Sequence, residues 1–264
     1  MVSRVLKNSI FLRIYAGLVV LVVVVAAFCY LLVQVINYQR AQEYRESLTD
    51  GISYVISEGV SRQPEKQQKL DWISDASDLL ELPIYYVDAE RVELSRTEKK
   101  RIAEQKSVVR YDANNGIGYI IIGLKDDPKH YLYIKVDKIG ERQMKALPIF
   151  VLDYLIFYPG QEREYLDKIK KHFYYPIEIA DIKDINLDSE QIGRLRQDQS
   201  VLLYKDSATV RGTTISIVSP MPNHSAQVLV LGPVPMFNWM PFQLSAGITL
   251  FSLFLLSLGV YGLI

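Results

Sequence analysis

Two long uncharged apolar runs, one near each end, constrain the fold of this chain more than any other feature of its sequence. The first extends from Ile14 to Ile36 and the second from Phe242 to Ile264. A helix of about 20 apolar residues, rising about 1.5 Å per residue, is long enough to cross the hydrocarbon of a bilayer. We therefore expect two transmembrane helices on either side of one polar region.

The charges that precede the first run indicate its direction through the membrane. Arg4, Lys7 and Arg13 lie there, and the first thirteen residues contain no acidic residue. Because basic residues favour the cytoplasmic side, the N-terminus is predicted to be cytoplasmic and Gln39 to Trp239 to lie outside. The run is too long for a signal peptide and lacks its small-residue cleavage site, so we expect a retained helix.

The second run is expected to return the chain to the cytoplasm. The last charged residue is Arg211, so no charge flanks this run and its orientation depends on the first. The chain stops at Ile264 inside the apolar segment. We therefore expect a further cytoplasmic part to follow.

Charge and cysteine content exclude some partners of the outer region. The chain has 30 basic and 30 acidic residues, and three of the basic ones precede the first run, so the outer region is slightly acidic. A nucleic-acid-binding surface needs a basic excess, so no nucleic-acid partner is expected. The only cysteine, Cys29, lies in the first apolar run, so the outer region has no disulfide and no thiolate metal site.

The outer region repeats itself at an offset of 93 residues. The coincidences extend without a gap from LPI and YPI to SVVRY and SVLLY, which predicts two tandem units, Leu70–Val136 and Arg163–Leu231. The matched pairs are Pro83 and Pro176, Ile84 and Ile177, Leu94 and Leu187, Arg101 and Arg194, Ser107 and Ser200, Val108 and Val201, and Tyr111 and Tyr204.

Each unit is predicted to be a small α+β fold. A helix precedes a short strand, and a second helix begins at a capping sequence, Ser95 to Glu98 in one unit and Asp188 to Gln191 in the other. Two longer strands follow as a hairpin. The fold class expected is α+β, two tandem small mixed units, PAS-like or similar in plan, between two transmembrane helices. The strands predicted are Ile84–Val87, Gly118–Leu124, Tyr131–Val136, Ile177–Ala180, Thr213–Val218 and Gln227–Leu231.

Two further helical segments connect these parts. After the first run, apolar residues recur at three- and four-residue spacing, which predicts that the span continues as an amphipathic input helix until Gly59 and Pro64. Between the units, Met144 to Tyr158 is apolar but short and contains Asp153, which favours a helix in the core or facing a partner over a third crossing. The input helix is defined by Ala41, Tyr44, Leu48, Ile52, Val55 and Ile56.

The sequence contains no convergent catalytic set. His130, His172 and His224 have no metal-ligand spacing, and we expect them to be solvated loop residues. No phosphate-binding loop, nucleophile motif or zinc motif is present, so we expect no catalytic residue, metal or cofactor in this chain. The candidate sensing residues are Asp126 and Asp127 with the adjacent His130, which is the side chain most suited to titrate near neutral pH.

A proline-rich segment connects the last predicted strand to the second run. Pro233 and Pro235 fix their own φ angles and favour extended geometry at the residues before them, Gly232 and Val234. Trp239 suits a membrane interface, and Pro241 suits the first turn of a helix. We interpret this segment as a stiff signal-transmitting joint, because a flexible tether would not pass movement to the following helix.

The combination of the segments IGRLRQDQSVLLY and VLVLGPVP with an immediate apolar run resembles the RstB-type sensor histidine kinases of Gram-negative bacteria. The segments NSIFLRIYAGLVVLV, LTDGISYVISEGV, LKDDPKHYLYIKVDKI and RGTTISIVSPMP extend the resemblance over the whole chain. These motifs are structural and include no catalytic residue. The resemblance therefore implies role and topology, and it assigns no phosphoacceptor among the three histidines.

The resemblance implies the membrane and sensory part of a two-component kinase. It places residues 37–241 in the periplasm of an inner-membrane protein, and it implies a homodimer that senses a periplasmic ligand or protein and signals envelope or biofilm state. ATP and Mg²⁺, and the partner response regulator, belong to a kinase part that this chain does not contain. The parts are a cytoplasmic tip (1–13), span 1 (14–36), a membrane-proximal helix (37–69), sensor unit 1 (70–136), a connecting helix (137–162), sensor unit 2 (163–231), the joint (232–241) and span 2 (242–264).

Two other classes remain open from the residues alone. A two-span envelope protein, such as a regulator of polysaccharide chain length, also places an α+β region between two membrane helices. A sensor module can also serve a chemoreceptor or a cyclase. A long cytoplasmic extension favours the kinase, whereas a short basic end favours the envelope protein.

Overall fold

The computed structural model describes residues 10–112, 115–137, 139–207, 212–222 and 224–235, with short helical pieces at 246–247, 249–251 and 253–254. Residues 44–236 form one compact unit. The helices are α1 (Ile10–Ser61), α2 (Lys66–Leu80), α3 (Arg96–Ala103), α4 (Glu141–Ile156), α5 (Glu162–Lys170) and α6 (Ser189–Leu195). The strands are β1 (Ile84–Asp88), β2 (Val108–Asp112), β3 (Ile117–Gly123), β4 (His130–Val136), β5 (Ile177–Asp181), β6 (Val201–Ser207), β7 (Gly212–Met221) and β8 (His224–Pro235).

Helix α1 is uninterrupted over 52 residues. From Ala16 onward it is the one helix within the described ranges that is long and apolar enough to cross a membrane, judged by length and composition. Its valine and leucine side chains between Val19 and Val25 are largely exposed, as a lipid-facing surface would be. The second predicted span, Phe242 to Ile264, lies mainly outside the described residues.

Two four-stranded antiparallel sheets form the mixed α+β fold that the sequence predicts, and both have the same topology. The strand orders are β1-β4-β3-β2 and β5-β8-β7-β6. A 3₁₀ turn and a capped helix follow the first strand in each case. Ser95 and Asp188 each accept a hydrogen bond from the residue three positions on, so both predicted capping boxes are confirmed.

The repeat extends through β2 and β6 at 93 residues and then changes register. Ile121 of β3 pairs with Val108, and Val218 of β7 pairs with Val201, so the offset between the hairpins is 97. The same change brings Leu132 and Leu229 to equivalent, fully buried positions in β4 and β8. β6 pairs with β7 over seven positions, whereas β2 pairs with β3 over five, so two additional residues in each strand of the second unit account for the difference.

Two predicted strand assignments need correction. Each sheet has a fourth strand, β2 or β6, where the sequence analysis predicted none. β8 continues to Pro235 instead of ending at Leu231, so the first part of the predicted joint belongs to the sheet. β2 was missed because a short apolar run directly after a helix has no periodicity that separates strand from helix.

The two sheets share one hydrophobic core. Val55, Ile56 and Val60 of α1 and Phe150 and Leu155 of α4 pack there with the inner faces of both sheets. Helix α4 is therefore a core helix, which answers the question that its sequence left open. Pro148 and Val151 on the same helix are also buried.

Candidate functional site

The candidate sensing residues lie in a polar cluster at one end of the first sheet. Asp126 and Asp127 occupy the turn before β4, and His130 is the first residue of that strand. His130 is paired across the sheet with Asp88, the last residue of β1. This pairing brings a second carboxylate to the histidine from a distant part of the chain.

The imidazole of His130 is held from three directions. Its Nδ1 atom lies 2.9 Å from both carboxylate oxygens of Asp127, and its Nε2 atom lies 3.3 Å from Oδ1 of Asp88. Its ring stacks on the ring of Tyr86, with centroids 4.4 Å apart. The prediction that His130 is a solvated loop residue is therefore wrong, because its side chain is only 23% exposed.

Both acidic residues of the turn have partners from other elements. The Tyr86 hydroxyl donates a hydrogen bond to Asp127, and the Lys69 ammonium of α2 donates one to Asp126. Burial opposes ionisation of Asp127, but the hydrogen bonds from Tyr86 and His130 outweigh it, so the pKa of Asp127 is lowered. Burial likewise opposes ionisation of Asp126, but the hydrogen bonds from Lys69 and Ser61 and the positive charge of Lys69 together lower its pKa.

A surface cleft of about 440 Å³ opens beside this cluster. Tyr86, Asp88 and His130 line one part of it, and Arg91 and Arg110 contribute guanidinium groups. Acidic, basic and aromatic side chains therefore converge on one cleft, which suits a small polar or charged ligand. Within the described residues, no group of three or more His, Cys, Asp or Glu side chains is arranged to hold a metal ion.

The second unit provides an internal comparison, because the same fold positions carry different side chains. At the established offsets, Ile179 replaces Tyr86, His224 replaces Asp127 and Gln227 replaces His130, and only Asp88 has the same residue type at its equivalent, Asp181. His224 there is exposed, and its Nε2 atom is 4.0 Å from Oε1 of Glu162. The fold forms without the polar cluster, so the cluster is a particular property of the first unit.

The predicted input helix corresponds to the middle and last part of α1. Val55 and Ile56 are buried in the core, and Leu48 and Ile52 pack against it. Ala41 is buried, and Tyr44 makes an edge-to-face contact with Tyr174, with ring centroids 6.3 Å apart. Apolar spacing alone therefore located the face of the helix that packs.

The polar attachments of α1 to the first unit were missed. Arg101 of α3 donates to both carboxylate oxygens of Asp50, at 3.0 and 3.1 Å, and lies 3.2 Å from Glu46. The backbone N–H and hydroxyl of Ser107 both donate to Asp50 at 2.9 Å. Ser57 donates to the carbonyl of Gly123 at 2.9 Å. The four-residue spacing of Glu46 and Asp50 on one helix face was the available signal.

The second unit contacts α1 mainly through aromatic groups. The ring of His172 stacks on Tyr54, with centroids 3.7 Å apart. Burial, followed by the positive charge of Lys171, lowers the pKa of His172. The prediction of a solvated side chain is therefore wrong for His172 as well.

The predicted joint divides into a described and an undescribed part. Gly232 and Pro233 face the single residue Ser216 in a β-bulge between β7 and β8, and the Gly232 N–H donates to Pro176 at 2.8 Å. Gly232 has a φ angle of +117°, a conformation that a Cβ atom disfavours. Pro235 is the last residue of β8, and Trp239 and Pro241 lie outside the described residues.

No family model and no curated protein sequence matches this chain.

Proposed function

We propose that this chain is the sensing and transmembrane part of a two-component sensor histidine kinase. One observation carries the proposal. The uninterrupted helix α1 contains both the candidate membrane span and the buried residues Val55, Ile56 and Val60. A helix built in this way couples the packing of an outer domain to a membrane segment, which is what a transmembrane sensor requires.

The attachments of α1 support this role. Asp50 and Ser57 tie the helix to the first unit, and the Tyr54 stack with His172 ties it to the second. A change in either unit therefore acts on the same rigid element. The proposal is also supported by the resemblance of the sequence to RstB-type kinases. The charges before the first span favour a cytoplasmic N-terminus, and the second apolar run at 242–264 would return the chain to the cytoplasm.

The polar cluster of Tyr86, Asp88, Asp127 and His130 is the proposed site of the stimulus. It combines a largely buried histidine, two carboxylates and an adjacent cleft. The second unit lacks this combination of side chains. A stimulus shifts a two-state equilibrium only by its differential affinity for the two states. His130 is in contact with Asp88, Asp127 and Tyr86, and these contacts can change when a ligand enters the adjacent cleft.

The remaining parts of the proposal follow from the kinase role. The protein is an inner-membrane homodimer with two spans, and residues 37–241 are periplasmic. ATP and Mg²⁺ bind the cytoplasmic kinase core, which transfers phosphate to a response regulator. Signal leaves the sensor through β8 and the segment that contains Trp239 and Pro241.

The test is phosphorylation of the full-length protein in permeabilised native membranes supplied with labelled ATP. We expect autophosphorylation, and we expect His130→Gln to change the steady-state phosphorylation by about fivefold or more, within the usual range of coupling energies. His224→Gln is the matched control and should leave it unchanged. A full-length protein that contains no kinase core or takes up no phosphate would overturn the proposal.

A further inference from the structure

A second cavity lies inside the compact unit, away from the polar cluster. It has a volume of about 210 Å³ and is enclosed by α1, α4 and both sheets. Ile52 and Ile56 line it from α1, Ile120 and Ile134 from the first sheet, Leu147 from α4 and Val234 from β8. None of these side chains belongs to the cluster around His130.

Among the residues that the structure describes, the lining offers almost nothing to a polar ligand. The Thr49 hydroxyl already hydrogen-bonds to Ser107 at 2.8 Å and to backbone carbonyls of α1, and the Gln143 amide oxygen accepts from the Gly140 N–H at 2.9 Å. Burial raises the pKa of Tyr175, so this side chain adds no charge to the lining. A bound water would need two to four polar partners, which this lining does not provide.

The size and opening of the cavity define the kind of molecule that fits. An apolar cavity of about 150 Å³ accepts the six carbons of benzene, so 210 Å³ corresponds to about eight carbons. Ile139, which lines the cavity, is 58% exposed, so the cavity reaches the surface there. An unbranched chain can therefore enter while a polar head remains in water.

We infer that this cavity binds one linear aliphatic chain of about eight carbons, supplied by a free medium-chain amphiphile whose head group stays at the surface. The volume is too small for a peptide helix or a bilayer segment, and the described lining residues carry no charge that would stabilise a buried ionic group. Burying each methylene contributes favourable transfer free energy, which is sufficient to hold such a chain without a hydrogen bond.

The cavity also has a place in signalling, a point that rests on the proposed function. Its occupant contacts Ile52 and Ile56 of the input helix and Val234 of the last strand together. A bound chain therefore acts on the elements proposed to receive and to deliver the signal. Binding itself does not depend on the sensor role.

The experiment is photolabelling of the full chain in lipid nanodiscs with an alkyl-diazirine analogue of 1-octanol, followed by peptide mapping. We expect saturable adducts on peptides that contain Ile52 or Leu147, and unlabelled 1-octanol should compete for them. Leu147→Phe places a ring in the cavity and should lower this labelling by about tenfold, corresponding to about 1.4 kcal/mol of binding free energy. Ile149→Phe adds the same ring on the exposed face of α4 and should leave labelling unchanged.

Val136→Phe fills the cavity from the opposite wall and keeps the test valid if Leu147→Phe fails to fold. Adducts confined to the apolar part of α1 before residue 37, or labelling that neither filling variant reduces, would overturn the inference. Equal cavity labelling by a diazirine phospholipid in the nanodisc would overturn the proposed source. None of these results bears on the phosphorylation assay, so the proposed function is tested separately.

Discussion

The guanidinium group of Arg101 donates hydrogen bonds to both carboxylate oxygens of Asp50, from a helix of the first unit to the long helix α1. The repeat places Arg194 at the equivalent position of the second unit, where it pairs with Glu190 of its own helix. The same residue type therefore attaches α1 in one unit and remains a surface group in the other.

We expect Asp50→Ala to lower the free energy of unfolding by about 2–3 kcal/mol. The substitution removes a half-buried carboxylate that accepts from Arg101 and from two donors of Ser107, and the Ser107 backbone N–H loses this acceptor. Glu190→Ala breaks the exposed equivalent pair and should change stability by less than about 0.5 kcal/mol. Urea unfolding of the full chain in micelles, followed by tryptophan fluorescence, measures both. Equal effects of the two substitutions would contradict the anchoring role of Asp50.

Two helical glycines are expected to respond to alanine with opposite signs. A Cβ atom on Gly51 of α1 would lie 2.4 Å from the Phe173 ring, so Gly51→Ala should destabilise the protein by about 1–3 kcal/mol. A Cβ atom on Gly193 of α6 would meet no atom within 4 Å. Gly193→Ala should therefore stabilise by about 0.5–1 kcal/mol through helix propensity. The same urea unfolding assay measures both changes in stability. An increase in the free energy of unfolding for Gly51→Ala would show that α1 does not pack closely on Phe173.

The ion pair of Glu98 and Arg110 is expected to make stability pH-dependent. The hydrogen bond from Arg110 lowers the pKa of Glu98 to about 2 from its ordinary value of 4.5, against the opposing effect of burial. Because the folded-state pKa is the lower one, the stabilisation is present above about pH 4.5 and is lost as the pH falls towards 2. Glu98→Gln keeps a capping side chain, as Gln191 does in the second unit, but removes the ion pair.

We therefore expect Glu98→Gln to cost about 2 kcal/mol at pH 7, a value reduced for partial exposure. The difference between the two proteins should shrink between pH 5 and pH 2.5. Unfolding curves over this range provide the measurement. A difference that stays constant with pH would mean that the cap, and not the charge, is responsible.

The bulge in β8 is expected to depend on glycine. A Cβ atom at residue 232 would lie 2.7 Å from the Ile215 carbonyl oxygen and 2.9 Å from the Val234 nitrogen, and the φ angle of +117° adds backbone strain. Gly232→Ala should therefore destabilise by about 1–3 kcal/mol. Gly118→Ala in β3, where the nearest atom is 3.5 Å away, is the control and should be neutral or slightly stabilising. An equal loss of stability in both variants would mean that alanine destabilises these strands in general, and that the bulge has no special need for glycine.

Local features of the fold were predictable from the sequence. Ser95 and Asp188 determine helix starts through bonds to their own neighbours, and the 93-residue offset transferred each assignment from one unit to the other. The change of offset to 97 was not predictable, because the additional residues lengthen the pairing of β6 with β7 by two positions and no local pattern marks where they enter. Strand β2 was missed for a similar reason, since its short run has no distinctive period.

The candidate site was predictable only in part. Asp126, Asp127 and His130 are close in sequence, so their proximity needed no knowledge of the fold. Tyr86 and Lys69 reach them only because β1 pairs with β4 and α2 packs beside that pair. Contacts of this kind depend on topology, which one sequence does not encode in any local pattern.

The common interior of the two sheets has a consequence for how the chain can be divided. Separating the halves between β4 and β5 would expose Phe150 and Leu155 on one fragment or Ile122 and Leu132 on the other. Neither fragment would retain enough buried apolar surface to stay soluble as a monomer. The duplicated halves thus melt as a single cooperative entity, and limited proteolysis of the native protein should yield no stable half-molecule.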